Sequence, residues 1–271
     1  MGLDKPTIGI IGGRGKMGAW FATFFKRQGL EVICIGSRGT LSPEKMVPRC
    51  DVVVVSVPME MTPQVIRRIG PLVSEEALLM DLTSLKQKPM ESMLRYSLAE
   101  VVGTHPLFGP EARIRDGLTI AICPGRGKKG LQWLFRIFAR SRIKPVIIDP
   151  EEHDRKMGIV QGVNHFMTLA LARCISRSGW GLEELKGAAT QSFGQSLART
   201  QSLFDQSPDL FRGLLMENPE SAEAIRSYLD ACEEILAIIK RRDGEKFKTL
   251  FESLGAFANG RGPVMKEEAS G

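Results

Sequence analysis

The sequence predicts an α/β N-terminal domain over residues 1–149 followed by an all-helical domain over residues 150–271. Three observations carry this. Short β-branched runs alternate with helical stretches through the first 149 residues, the pattern of a parallel sheet with crossover helices. A glycine-rich turn, Gly12-Gly13-Arg14-Gly15-Lys16-Met17-Gly18, directly follows the first of those runs. Beyond Asp149-Pro150-Glu151-Glu152 the strand pattern stops and apolar residues recur at helical spacing.

In order, the strand candidates are Thr7–Ile11, Glu31–Ile35, Val52–Val57, Leu78–Leu82, Val101–Thr104, Leu118–Cys123 and Pro145–Ile148. Val52-Val53-Val54-Val55 is apolar on both faces, as a central strand covered by helices must be. Ser42-Pro43-Glu44 and Thr62-Pro63-Gln64 each read as an N-cap residue with proline in the first helical position. Further caps at Ser207-Pro208-Asp209 and Asn218-Pro219-Glu220 divide the C-terminal part. Beyond them apolar residues recur at helical spacing, among them Ile225, Tyr228, Leu229, Cys232, Ile235, Leu236 and Ile239. So much apolar helical surface is expected to be covered by a second copy, making a homodimer through the helical domain. The tail after Asn259 is Gly/Glu/Lys-rich and is expected to fray.

With 43% hydrophobic and 25% charged residues the chain is globular, not fibrous or disordered. Its net charge of +6 is spread along the sequence, so a clustered nucleic-acid face is not expected. The five cysteines form no C-x-x-C pair, which argues against a zinc site and a disulfide framework. No apolar run approaches the roughly 18 residues of a membrane span, and the N-terminus lacks a leader pattern. A cytoplasmic protein is therefore expected.

Gly13-x-Gly15-x-x-Gly18 between a strand and a helix has the context of a Rossmann-type dinucleotide site. Its glycines let backbone approach a pyrophosphate at a helix N-terminus, and Arg14, Lys16, Met17, Val57 and Pro58 are expected nearby. The second strand runs into Ile35-Gly36-Ser37-Arg38, where an NAD site usually has a carboxylate. Ser37 and Arg38 favour a 2′-phosphate, so NADP is expected, with NAD as the alternative.

Three loops should open at the carboxyl edge of the sheet. They carry Ser56-Val57-Pro58, Asp81-Leu82-Thr83-Ser84-Leu85-Lys86 and Gly103-Thr104-His105-Pro106-Leu107-Phe108-Gly109-Pro110. A histidine in a stiff Gly/Pro-bracketed loop is suited to take the proton of an alcohol as its hydride leaves.

These motifs resemble the prephenate dehydrogenases and their arogenate and cyclohexadienyl relatives of tyrosine biosynthesis. The resemblance rests on the glycine turn, Val55-Ser56-Val57-Pro58, Asp81 to Lys86, His105 to Pro110, and Glu152-His153-Asp154 followed by Gln161 and His165-Phe166. It implies that His105 accepts the ring hydroxyl proton, that Ser84 hydrogen-bonds the same region, and that hydride transfer is coupled to loss of the ring carboxylate as CO2. It also implies His165 in the substrate pocket, with Gln161 one turn before it and Lys86 as a further contact. His153 reads instead as a capping or structural residue, and no metal site is expected from these histidines. The family's substrate-binding arginine falls at Ser202 here; Arg199, one turn earlier, is the candidate to replace it, or a basic residue of a partner subunit. That departure keeps arogenate or an amino-substituted prephenate open as substrate. The chain has no residues left for a fused chorismate mutase, so a monofunctional enzyme is expected. The rivals are a β-hydroxyacid dehydrogenase or imine reductase, which would place a lysine or aspartate where Gln161 and His165 stand, and a non-catalytic NADP-binding redox sensor, which would need neither His105 nor Ser84.

Overall fold

The computed structural model describes residues 5–36, 41–114 and 117–261. Seven strands form one sheet: β1 (Ile8–Ile11), β2 (Val32–Ile35), β3 (Val52–Val55), β4 (Leu78–Asp81), β5 (Glu100–Pro106), β6 (Thr119–Pro124) and β7 (Lys144–Ile147). Their order across the sheet is β2-β1-β3-β4-β5-β6-β7, so the winding reverses between β1 and β3. A crevice opens beyond the carboxyl ends of strands at such a reversal.

Residues of alternate parity face the two sides. Ile8, Ile10, Val52, Val54 and Met80 pack with Phe21, Phe24 and Phe25 of α1 (Lys16–Arg27) and Trp133 and Phe138 of α5 (Lys129–Arg140). On the other side Val53, Val55, Leu79 and Val101 meet Met46 of α2 (Pro43–Met46), Ile66 and Ile69 of α3 (Thr62–Ile69), and Met90 and Met93 of α4 (Gln87–Tyr96). All four residues of β3 are buried, as its uninterrupted valine run requires.

All seven expected strands are present, but the sheet is not wholly parallel. β6 runs antiparallel to β5, with His105 opposite Ala121 and Pro106 opposite Ile120, and β7 follows β6 in parallel. The reason lies in the connection. Parallel neighbours need a crossover, usually helical, whereas residues 107–118 contain no α-helix among those described. Thr62 also departs from expectation: a 3₁₀ turn, Met59–Met61, precedes α3, Met61 is its N-cap, and the Thr62 hydroxyl donates back to the Pro58 carbonyl at 3.2 Å.

After β7 the described elements are all helical: α6 (Pro150–Met157), a π-helical turn (Gly158–Val163), α7 (Asn164–Ser176), α8 (Leu182–Gly187), α9 (Gln191–Phe204), α10 (Pro208–Met216), α11 (Pro219–Arg241) and α12 (Gly244–Ala258). Asp149 caps α6 by accepting from the backbone N–H groups of Glu151 and Glu152 at 2.8 and 3.3 Å. By compactness the chain divides into two units, Met1–Ala222 and Glu223–Gly271. Within the first, Met59 packs on a small cluster of Leu203, Phe211 and Leu214, and Arg212 pairs with Glu60 at 3.3 Å. In the second, Ile239, Phe247, Phe251 and Phe257 are exposed. No helix among the described residues is long and apolar enough to cross a membrane. The expected frayed tail falls largely outside the described residues.

Candidate active site

β1 ends in a turn that only glycine can make. Gly12 has φ +82°, and a Cβ there would stand 2.0 Å from the Ser56 carbonyl oxygen. A Cβ on Gly18 would meet the Gly12 oxygen at 2.4 Å, and one on Gly13 would meet Cys34 at 2.8 Å. The turn is thereby pressed against the ends of β2 and β3. Gly12 and Gly13 both donate to the Ile35 carbonyl, at 2.9 and 3.0 Å. α1 starts immediately after Gly15 with no side chain capping it, so its first N–H groups and its dipole face the crevice. Val57 lies against Gly12, Pro58 follows exposed, and Arg14, Gly15 and Lys16 are exposed at the rim, with Met17 half-buried behind them. These features fit a dinucleotide pyrophosphate. Ser37 and Arg38 lie outside the described residues. Where the described part of β2's end stops, the Arg14 side chain lies over Gly36, 3.1 Å from the position of a Cβ.

His105 occupies the penultimate position of β5 and is buried, not displayed on a loop. The antiparallel pairing with β6 lengthens β5 past Thr104 and takes the histidine into the sheet. The loop that follows is fixed to α1: the Phe108 ring lies 4.9 Å from that of Trp20, whose indole N–H donates to the Ala112 carbonyl at 2.8 Å. Val101 and Gly103 share His105's side of the strand and face α4, where Gly103 admits Met90 to close contact. His105 therefore stands beyond the start of α4.

There it meets a residue that sequence reasoning assigned to structure. His105 Nδ1 is 2.9 Å from His153 Nε2, and His153 Nδ1 is 2.7 Å from Asp154 Oδ1. Asp154 in turn accepts from the backbone N–H groups of Lys86 (2.7 Å) and Gln87 (3.0 Å) at the N-terminus of α4, and its own carbonyl accepts from the Asn218 amide at 2.8 Å. The signal was present in the sequence. From the Asp149 cap, His153, Asp154 and Met157 fall on the inward face of α6, and all three are buried. Burial foremost, then the neighbouring His153 and Lys86, holds the His105 imidazolium well below its usual range, so His105 is neutral near pH 7.

Gln161 comes from the π-helical turn, a feature that recurs at functional sites. Its Nε2 lies 3.5 Å from His105 Nε2, and its Oε1 is buried without a hydrogen-bond partner. Ser84 is half-buried in the turn after β4, whose end lies beside that of β5. His165, on α7, is turned toward Phe211, with ring centroids 5.0 Å apart, and burial lowers its pKa. Arg199 and Ser202 are exposed on α9, away from the buried Leu197, Thr200 and Leu203.

Lys86 requires a correction. Far from reaching substrate, its side chain is fully buried, ion-paired with the equally buried Asp81 and donating to the Thr104 carbonyl at 2.7 Å. Its ammonium thus ties the ends of β4 and β5 together behind the site, with no donor directed at the crevice.

Residues 25–124 match the family description "Prephenate dehydrogenase, nucleotide-binding domain", and residues 149–253 match "Prephenate dehydrogenase, dimerization domain". A probable arogenate/prephenate dehydrogenase of Methanocaldococcus jannaschii is 30% identical over 260 residues, covering 89% of this chain and 58% of the relative. The T-protein of Haemophilus influenzae is 29% identical over 251 residues, covering 93% of this chain and 67% of the relative. The chain thus spans about three-fifths to two-thirds of the length of these curated relatives. Among solved structures, prephenate dehydrogenase from A. aeolicus, in complex with hydroxyphenyl propionate and NAD+, superposes with a TM-score of 0.76 over 95% of this chain and 99% of that one, at 21% identity. Two matched domains in this order place the chain in the prephenate dehydrogenase family.

Proposed function

We propose that this protein catalyses the NAD(P)-dependent oxidative decarboxylation of prephenate to 4-hydroxyphenylpyruvate, with arogenate as the alternative substrate. The observation that carries the reading is a neutral, buried His105 beside the orphaned Gln161 Oε1, with His105 near the carboxyl end of β5, two residues beyond its last pairing with β4. A bound oxidised nicotinamide supplies the hydride acceptor. His105 takes the proton of the ring hydroxyl at Nε2, the nitrogen facing Gln161. Gln161 Oε1 is a buried acceptor in want of a donor, which a substrate hydroxyl or amine supplies. Ser84 hydrogen-bonds the same hydroxyl region and His165 borders the substrate. Arg199, exposed on α9, is the candidate to hold a substrate carboxylate.

NADP is the proposed cofactor. Its support is the absence of a carboxylate at Ile35-Gly36, the residues Ser37 and Arg38 that follow, and the Arg14 side chain over Gly36. The A. aeolicus relative is described with NAD+, so NAD stays the competing cofactor. The domain assignment of residues 1–149 to nucleotide and 150–271 to substrate and dimerisation is proposed with it. Exposed Ile239, Phe247, Phe251 and Phe257 support a homodimer through the C-terminal helices.

An absorbance assay crossing prephenate and arogenate with NAD and NADP tests the whole reading. Turnover is expected with prephenate and NADP. His105→Asn should lower kcat by about 10²–10⁴-fold while cofactor binding survives. Undiminished turnover in that variant would refute the assignment.

A further inference from the structure

A neutral, buried imidazole is ready to accept a proton but poorly placed to keep one. Its cation would sit in a site closed to solvent, near the Lys86 ammonium. The residues behind His105 supply an answer. Asp154 Oδ1 only accepts, so the 2.7 Å contact requires the His153 proton on Nδ1. His153 Nε2 is then an acceptor, and the 2.9 Å contact requires His105 to donate through Nδ1. His105 Nε2 is left as an acceptor, with the Gln161 amide nitrogen 3.5 Å away as its only, long donor among the described residues. Asp154 accepts from two backbone N–H groups at the N-terminus of α4, donors that favour negative charge on its carboxyl group. Lys86, whose charge disfavours a cation on His105, is itself ion-paired with the buried Asp81.

We infer that His153 is a second proton carrier, and that the charge taken from substrate comes to rest on His153 against Asp154 while His105 stays neutral. This rests on the proposed role of His105. As the hydride leaves the ring carbon, which is oxidised as the nicotinamide is reduced, the hydroxyl O–H bond breaks and an N–H bond forms at His105 Nε2. The His105 Nδ1–H bond breaks and its proton bonds to His153 Nε2, giving an imidazolium beside the Asp154 carboxylate. When the bond to the leaving CO2 breaks and its electron pair completes the aromatic ring, the oxygen recovers a proton from His105 Nε2. His153 then returns its own proton to His105 Nδ1. No proton is gained or lost over the cycle, so a site without solvent access can complete it.

The chain has three histidines, which makes ring-nitrogen NMR of the ¹⁵N-histidine-labelled, untagged protein direct. Near neutral pH, His105 and His153 should both carry the proton on Nδ1, and on acidification the added proton should appear on His153 before His105. A His105 protonated on Nε2, or charged ahead of His153, overturns the inference. Kinetically, His153→Gln keeps a donor for Asp154 and an acceptor for His105 but carries no proton. It should lower kcat by at least about tenfold with KM within about twofold. Asp154→Asn should lower kcat and move its acid limb to lower pH. Full kcat in His153→Gln, with His105→Asn still inactive, would leave the base intact and remove the relay.

Discussion

Replacing Lys86 by Met separates a structural lysine from a substrate-binding one. In the folded protein the Lys86 ammonium and the Asp81 carboxylate are both fully buried. Asp81 further accepts from the Thr83 backbone N–H at 3.1 Å and the Thr104 backbone N–H at 3.3 Å. These neutral donors do not cancel a charge, so the substitution leaves a carboxylate buried without its counter-ion. Breaking a buried pair from one side costs about 3–5 kcal/mol. Against a total stability of about 5–15 kcal/mol that is a large fraction. The expected loss in Tm is about 6–20 °C for a chain of this size. Removing both charges together, Lys86→Met with Asp81→Leu, should restore most of the loss, because an apolar pair of similar volume avoids the desolvation altogether. Urea titration gives the free energies, and steady-state kinetics on the folded fraction gives KM. A single variant that loses less than about 1 kcal/mol, or a double variant no more stable than the single one, would refute the buried-pair assignment. A large rise in KM at unchanged stability would return Lys86 to the substrate pocket.

The depressed pKa of His105 has a pH signature, reinforced in the same direction by His165. Both bind protons more readily unfolded than folded, so stability is retained above about pH 6.5 and declines as pH falls through the unfolded value, by up to about 1.4 kcal/mol per pH unit for the buried His105 and by less for the half-buried His165. Urea unfolding at stepped pH should show a shallower acid decline in His105→Asn than in the wild type, and identical slopes would contradict the burial argument. In Gly18→Ala the new methyl meets the backbone of Gly12 and Gly13 at 2.4–2.9 Å, which the turn cannot relieve without shifting. Cofactor Kd, read by nicotinamide fluorescence, should rise at least about tenfold, while Gly109→Ala, with nothing within 4 Å of its Cβ, should leave it unchanged. Gln161→Leu removes a buried acceptor that has no partner. Its stability should match or exceed the wild type by up to about 1 kcal/mol, with KM for the substrate raised; a destabilised variant of normal KM would make Gln161 a packing residue.

What the sequence disclosed follows from the range of the forces involved. Strands and caps are local: the valine run of β3 and the Asp149-Pro150 start of α6 are written in consecutive residues, and both stand where expected. Strand direction is not local. Nothing within Thr119–Pro124 distinguishes a parallel from an antiparallel neighbour; only the want of a helix between β5 and β6 does. That one reversal decided the environment of His105, converting an expected loop residue into a buried member of β5. Partnerships across the fold are less local still. His105 and His153 are 48 residues apart and their contact depends on α4. The α4 N-terminus holds Asp154, Gly103 lets the same helix close on β5, and the ammonium of Lys86, its N-cap residue, anchors that end to both β4 and β5. Lys86 therefore belongs to the site without facing it: it fixes the helix end that holds the carboxylate that orients the histidine pair. A motif match could name Lys86 and His105 together; the chain of contacts between them required the packed structure.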